Sequence, residues 1–262
     1  MLPTPDTSHV PYSRVYEPAE DSFLLLDTLS SPSETTFLTS HFAPAATDPH
    51  PPAPLILEVG PGSGVVLAFL TAHALALFGS RALLTLGIDA NRFACAATAT
   101  TARKACAEHA ATAALFLDAV QGDLATAVRG GAVDVLVFNP PYVPTEELPA
   151  LLSPAAAAAA AAVMVGEGGW DEDSRLLALS YAGGRDGMET TDRLVAALPG
   201  VLSARGVAYI LLCAQNKPED VKERVRGFGA SWKAETVGGS GKQAGWERLQ
   251  IVRVWRARAT EL

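Results

Sequence analysis

Asn139-Pro140-Pro141-Tyr142 is the segment of this chain best suited to chemistry. Asparagine offers a side-chain carbonyl, which accepts hydrogen bonds, and an NH₂ group, which donates them. The prolines that follow have no N–H, so the turn presents acceptors and few donors. The Asn139 side-chain carbonyl and the Pro140 backbone carbonyl can each accept one N–H of a planar NH₂ group, and Tyr142 can stack on that plane. Together Asn139, Pro140, Pro141 and Tyr142 form the candidate substrate-binding loop, with Asn139, Pro140 and Tyr142 as the candidate catalytic residues. An amide or aromatic amine nitrogen is a poor nucleophile, because its lone pair is delocalised into the adjacent π system. Two acceptors fix its orientation toward an electrophile and stabilise the positive charge developing on it.

Upstream lies Glu58-Val59-Gly60-Pro61-Gly62-Ser63-Gly64. Glycines let a backbone approach a ligand closely, and the N–H groups opening the next helix favour polar or anionic groups. A dinucleotide fold calls for G-x-G-x-x-G. Here the third glycine comes one residue early, and an acid stands two residues before Gly60. That spacing resembles the first motif of class I methyltransferases, whose loop wraps the methionine end of S-adenosylmethionine while the acid helps hold its ammonium group. Asp89, at the end of the next apolar run, can accept from both hydroxyls of a ribose. NAD enzymes place an acid similarly, so Asp89 points to an adenosine-type cofactor without choosing between the two. Asp123, in Gly122-Asp123-Leu124, occupies the place where methyltransferases hold the adenine amine, with the Leu124 N–H reaching a ring nitrogen.

These residues need a frame that brings their loops together. Leu55–Val59, Leu83–Ile88, Leu115–Val120, Val133–Phe138 and Val207–Cys213 read as strands. Residues 65–78, 91–109, 188–203 and 218–228 read as helices between or after them. A further helix opens near Pro18, with acids in its first turn and Phe23-Leu24-Leu25-Leu26 behind them. Strands alternating with helices imply parallel crossovers. Arg248–Trp255 alternates and reads as a final strand, antiparallel and closing the sheet. The expectation is an α/β Rossmann-like fold of about seven strands, mostly parallel, with helices on both faces. Residues 1–14 read as a loose tail, 15–256 as one domain and 257–262 as a C-terminal tail. Residues 30–54 alternate Ser, Thr, Pro and His, and the proline-rich stretch at 43–54 looks like an inserted loop. A second insertion spans residues 150–170 and contains the alanine run Ala155–Ala162.

Composition narrows the partners. The chain has 262 residues, 49% of them hydrophobic, enough for one sizeable core. A formal net charge of −8 weighs against gripping nucleic acid by electrostatics alone. The three cysteines, Cys95, Cys106 and Cys213, form no CxxC pair and read as small buried thiols in a reducing compartment, with no metal site. With the alanine tract set aside, no run approaches the ~20 apolar residues a membrane helix needs. A cytoplasmic protein, with nuclear residence compatible, is expected.

The blocks Tyr16–Asp27, Leu57–Val66, Val135–Val143, Ala182–Gly187 and Gln243-Ala244-Gly245 resemble the HemK-like release factor glutamine methyltransferases, and in particular their eukaryotic branch. The resemblance runs from about residue 12 to residue 256. The Asn-Pro-Pro-Tyr segment is shared with adenine methyltransferases, whereas the Tyr16–Asp27 block is much more specific. The resemblance implies methylation of the side-chain amide nitrogen of the glutamine in a Gly-Gly-Gln tripeptide of the class 1 translation termination factor. It assigns Tyr16, Ser22, Glu58, Gly60, Gly62, Gly64, Asp89, Asp123, Leu124 and Asn139 to S-adenosylmethionine. It implies a small zinc-binding activator subunit as partner, adding a strand to a sheet edge. The run Ala113–Leu117 and the strand at Leu115–Val120 are the candidate edge; burial within this chain would explain the run equally well. The alternatives are methylation of adenine in DNA or of a histone lysine. The acidic balance weighs against the first, and a lysine ammonium does not match a site built for a planar NH₂ group.

Overall fold

A computed structural model describes residues 2–44, 51–149, 169–241 and 248–257. Most of the alanine-rich insertion, part of the proline-rich stretch and Gln243-Ala244-Gly245 lie outside the described residues.

Seven strands form one sheet: β1 Leu55–Val59, β2 Leu84–Asp89, β3 Leu115–Gln121, β4 Val133–Phe138, β5 Leu202–Cys213, β6 Trp232–Gly239 and β7 Leu249–Arg256. Their order across the sheet is β3-β2-β1-β4-β5-β7-β6. The first five run parallel, and β7 is antiparallel to both of its neighbours. Every residue of β4 is buried, as expected for a central parallel strand covered on both faces. The expected Rossmann-like architecture is therefore present. One refinement concerns β7, which inserts between β5 and β6 and so closes no edge.

Helices cover both faces. On one face α1 (Glu20–Leu29), α2 (Pro32–His41), α3 (Val65–Ala72) and α4 (Ala74–Phe78) pack Leu25, Leu29, Leu38, Phe69 and Leu77 against Val135, Val137, Tyr209 and Ile251. On the other face α7 (Glu189–Val201) and α8 (Pro218–Arg226) pack Leu194, Leu198, Val221 and Val225 against Leu136, Ala208, Ile210 and Val252. Helix α5 (Arg92–Glu108) follows β2, and α6 (Gly169–Tyr181) precedes the turn at Arg185–Gly187.

Several boundaries differ from the sequence reading. The helix expected over 65–78 breaks at His73, which ends α3 and starts α4. Helix α2 occupies residues to which the sequence assigns no element, since its Ser- and Thr-rich face carries little apolar periodicity. Its start is nevertheless encoded: Pro32 stands at the first turn, and the Ser31 hydroxyl accepts from the Glu34 N–H at 3.3 Å. Strand β6 was not singled out, because Trp232–Gly239 mixes charges and glycines with few apolar residues.

The segment before α1 does not behave as a loose tail. Val10 and Val15 are buried against Ala94 and Ala97 of α5. His73 Nε2 lies 2.8 Å from the Pro3 carbonyl, Lys104 pairs with Asp6 at 3.3 Å, and Asn91 Nδ2 donates to the Arg14 carbonyl at 2.7 Å. Strand β3 is an edge of the sheet, and Leu115 and Leu117 are 61% and 46% exposed, so burial within this chain does not account for them.

Candidate active site

The sheet order reverses between β1 and β4, and ligands in open α/β folds bind beyond the carboxyl ends of the strands at such a switch point. Register does the positioning. Val59 pairs with Phe138, setting Gly60 beside Asn139, and with Ile88, setting Gly60 beside Asp89. Asp89 pairs with Gln121, which brings Gly122-Asp123 to the same rim. A cavity of about 160 Å³ opens there. Tyr16 and Ser22, contributed by the N-terminal segment and α1, close one wall.

Among the residues expected in the site, Tyr16, Ser22, Glu58, Gly60, Gly62, Asp89, Asp123, Leu124, Asn139 and Pro141 line this cavity. Gly64, Pro140 and Tyr142 do not. Gly64 has a packing role instead: its φ is +80°, and a Cβ there would sit 2.6 Å from the Thr98 Cα of α5. The Tyr142 side chain packs partly buried against the core on the α1 face.

The β1 turn is held by backbone and acid. Gly60 donates its N–H to the Ile88 carbonyl at 2.8 Å, and Gly62 donates to Asp89 Oδ2 at 3.1 Å. Asp89 Oδ1 accepts from the Asn91 N–H at 2.8 Å, and Asn91 in turn caps α5. Burial raises the Asp89 carboxyl from 3.8 to about 6, partly offset by the Asn91 and Gly62 N–H groups.

Glu58 is the strained group of the site. It is buried, and its Oε2 has no hydrogen-bond partner. Burial raises its pKa from 4.5 to about 8, against the lowering effect of the Leu67 N–H, and the nearby Asp89 adds to the rise. A carboxyl withheld from water with one oxygen left unpartnered is suited to a ligand cation, which would favour its ionised form.

Asn139 is oriented. Its Nδ2 donates to Asp21 Oδ2 at 3.1 Å, while its Oδ1 is buried without a partner. An ionised carboxylate only accepts, so the contact with Asp21 fixes which end of the amide is which. The loop itself is braced from behind. Val143 bridges Ala182, its N–H donating to the Tyr181 carbonyl at 3.0 Å and its carbonyl accepting from Gly183 at 2.8 Å. The buried Asn216 donates through Nδ2 to the carbonyls of Tyr142 (3.3 Å) and Asp186 (3.2 Å).

Three contributors were not assigned from sequence. Asp21 lies inside the Tyr16–Asp27 block but meets Asn139 only across 118 positions. Arg193 of α7 lines the cavity and pairs with Asp123. Asn216 follows β5 with no motif around it.

No family model matches the chain. Methyltransferase HEMK2 of Mus musculus is 34% identical over 257 residues, spanning 96% of each protein. The chain belongs to the HEMK2/Mtq2 methyltransferase family. The eRF1 methyltransferase catalytic subunit of Schizosaccharomyces pombe is 33% identical over 262 residues, covering 98% of this chain and 96% of that protein. In fold, this chain matches one from the E. cuniculi Mtq2–Trm112 complex, with a TM-score of 0.50 and 21% identity over 93% of this chain and 99% of the other. S-adenosylmethionine is the methyl donor of the family. The cavity fits it on the structure's own terms, through the unpartnered Glu58 Oε2 and the half-buried Asp89 carboxyl.

Proposed function

We propose that this protein methylates the side-chain amide nitrogen of the glutamine in the Gly-Gly-Gln tripeptide of a class 1 translation termination factor. The observation carrying this reading is the Asn139 amide, pinned through Nδ2 and left with an unpartnered acceptor, Oδ1, in the lining of the cavity. The name of the S. pombe relative, an eRF1 methyltransferase subunit, supports the choice of target.

S-adenosylmethionine supplies an electrophilic methyl group when bound. Glu58 would hold its ammonium group, Asp89 its ribose, and Asp123 with the Leu124 N–H its adenine, while Gly60 and Gly62 allow close backbone approach. Asn139 Oδ1 would accept one N–H of the glutamine amide, and the Pro140 carbonyl, which lies in the chain between the lining residues Asn139 and Pro141, would accept the other. These two contacts orient the nitrogen lone pair toward the methyl carbon. The two acceptors would also stabilise the positive charge that develops on the amide nitrogen as it gains the methyl group. The nitrogen then sheds one proton to solvent, so no strong base is needed among the lining residues.

The partner would be a small zinc-binding activator subunit seated on β3. The solved Mtq2 relative is in complex with Trm112, and in this chain the free edge with exposed Leu115 and Leu117 supplies a docking strip. No helix among the described residues is long and apolar enough to cross a membrane, which suits cytoplasmic work, with nuclear residence compatible.

Mass spectrometry of a termination factor incubated with the protein, its partner and S-adenosylmethionine tests the proposal. A gain of one methyl on the Gly-Gly-Gln glutamine, absent with Asn139→Ala, is expected. Methyl transfer only to DNA adenine or to histone, or full activity in the Asn139 variant, would overturn it.

A further inference from the structure

The geometry points to Asp21 as a positioning residue that holds the Asn139 amide in its reactive orientation. This rests on the reading of Asn139 given above. Asp21 stands at the second position of α1, is 3% exposed and does not itself line the cavity. One of its oxygens, Oδ2, accepts from Asn139 Nδ2 at 3.1 Å and from the Tyr16 hydroxyl at 3.0 Å. The other, Oδ1, accepts from the Ser22 N–H and, at 3.2 Å, from the Ser22 hydroxyl. Tyr16 and Ser22 both line the cavity, so one buried carboxylate ties together three of its walls.

The consequence follows from the symmetry of an asparagine side chain. Its oxygen and nitrogen ends have nearly the same shape, and only hydrogen-bond partners decide which end faces which way. If the amide turned over, Asn139 would present a donor to a substrate NH₂ group that is also a donor. Asp21 excludes that state, because a carboxylate opposite Asn139 Oδ1 would set acceptor against acceptor. The charge-assisted contact also polarises the amide and strengthens Oδ1 as an acceptor. The α1 N-terminus is a favourable place for a negative charge, and among the described residues no cation is paired with Asp21.

Asp21→Asn is the discriminating variant. Its single oxygen cannot serve both Ser22 and Asn139, so the inverted Asn139 amide becomes accessible while the volume is kept. The measurements use the protein with its activator subunit: kcat and KM on a termination factor, calorimetric affinity for S-adenosylmethionine, and the ¹⁵N side-chain amide resonance of Asn139. We expect kcat to fall about 10²-fold, the loss typical of a misplaced reacting group. Cofactor affinity should stay within about threefold, and the Asn139 amide resonance should shift. Asp21→Ala should behave alike, with Asp21→Glu also failing because its longer arm moves the carboxylate. The inference is overturned by an unchanged Asn139 resonance, by wild-type kcat in Asp21→Asn, or by a loss explained wholly by weaker cofactor binding. The resonance needs no substrate, so a failure of the glutamine reading leaves this inference separately testable.

Discussion

A Cβ placed on Gly187 would lie 2.0 Å from the carbonyl oxygen of Tyr142. The turn at Arg185–Gly187 therefore presses backbone to backbone on the Asn139–Tyr142 loop, and Gly187 holds a φ of +69° that favours glycine. Gly187→Ala should cost about 1–2 kcal/mol for the left-handed backbone and more for displacing the loop. Gly131→Ala is the control, since Gly131 has a similar φ of +70° with open space around it. Denaturant unfolding should show the larger loss at Gly187, together with reduced kcat; equal losses would mean the close approach does not matter.

Glu58 makes the ligand-free protein sensitive to pH in a defined direction. Its folded pKa of about 8 exceeds the ordinary 4.5, so the folded state binds more protons between those values. Stability of the ligand-free protein should fall as pH rises from about 4.5 to about 8 and then level off. Asp89 adds a fall of the same sign between 3.8 and about 6. Thermal melting across this range checks it, and Glu58→Gln should flatten the higher part of the slope.

The same carboxyl sets the linkage of binding. A cation beside Glu58 favours its ionised form, so S-adenosylmethionine binding near pH 7 should release protons. Calorimetry in buffers of different ionisation enthalpy measures that release directly. Glu58→Gln should abolish it and weaken cofactor binding at least about tenfold, the loss of one charge-assisted contact of roughly 1.5 kcal/mol. Undiminished affinity in the variant would remove Glu58 from the ammonium site.

Outside the cavity lining, Arg253 of β7 donates from Nη1 to both oxygens of Glu34 on α2 at 2.9 Å, and Tyr209 donates to Glu34 Oε2 at 2.7 Å. The guanidinium lies over the Phe37 ring, 3.7 Å from its centroid, and over Trp255 at 4.6 Å. Glu34→Gln leaves the buried arginine with only the exposed Glu235, 3.4 Å from its Nη2, as counter-charge, and should cost about 3 kcal/mol. Replacing the set together, with Glu34→Leu, Tyr209→Phe and Arg253→Met, should recover most of that loss in denaturant unfolding. Activity per folded molecule should not change.

The β3 edge gives a test of partner binding that is independent of catalysis. Leu115→Lys with Leu117→Lys should abolish co-purification with the activator subunit and make the isolated chain more soluble. Far-ultraviolet circular dichroism should stay unchanged, because both side chains are exposed. Retained complex formation would send the partner to another surface.

Much of this arrangement was legible in the residues. Alternating apolar runs and helical periods announced the parallel sheet, and turns after strands placed Gly60, Asp89, Asp123 and Asn139 at one rim. What local pattern could not reveal was contact between distant positions. Asp21 reads as one of several acids opening a helix until the fold sets it against Asn139. Arg193 reads as a solvated helix residue until α7 brings it to Asp123. Helix α2 escaped because its stability comes from burying Leu38 and the Glu34 pair, while Ser and Thr hide its period. The close approach of Gly64 to Thr98 was equally hidden, because a motif's spacing does not say which glycine meets a neighbouring helix.

The position of β7 has a consequence for how the protein is made. Leu249–Arg256 is the last strand of the sheet to leave the ribosome, yet it occupies an interior place between β5 and β6. Until it arrives, β5 has a bare edge and β6 has no neighbour in the sheet. A nascent chain paused or cut before Leu249 is therefore an incomplete sheet with two open strands, a substrate for chaperones or for aggregation. The native strand order is complete only once that strand is inserted, which can follow only after the other six strands have been translated.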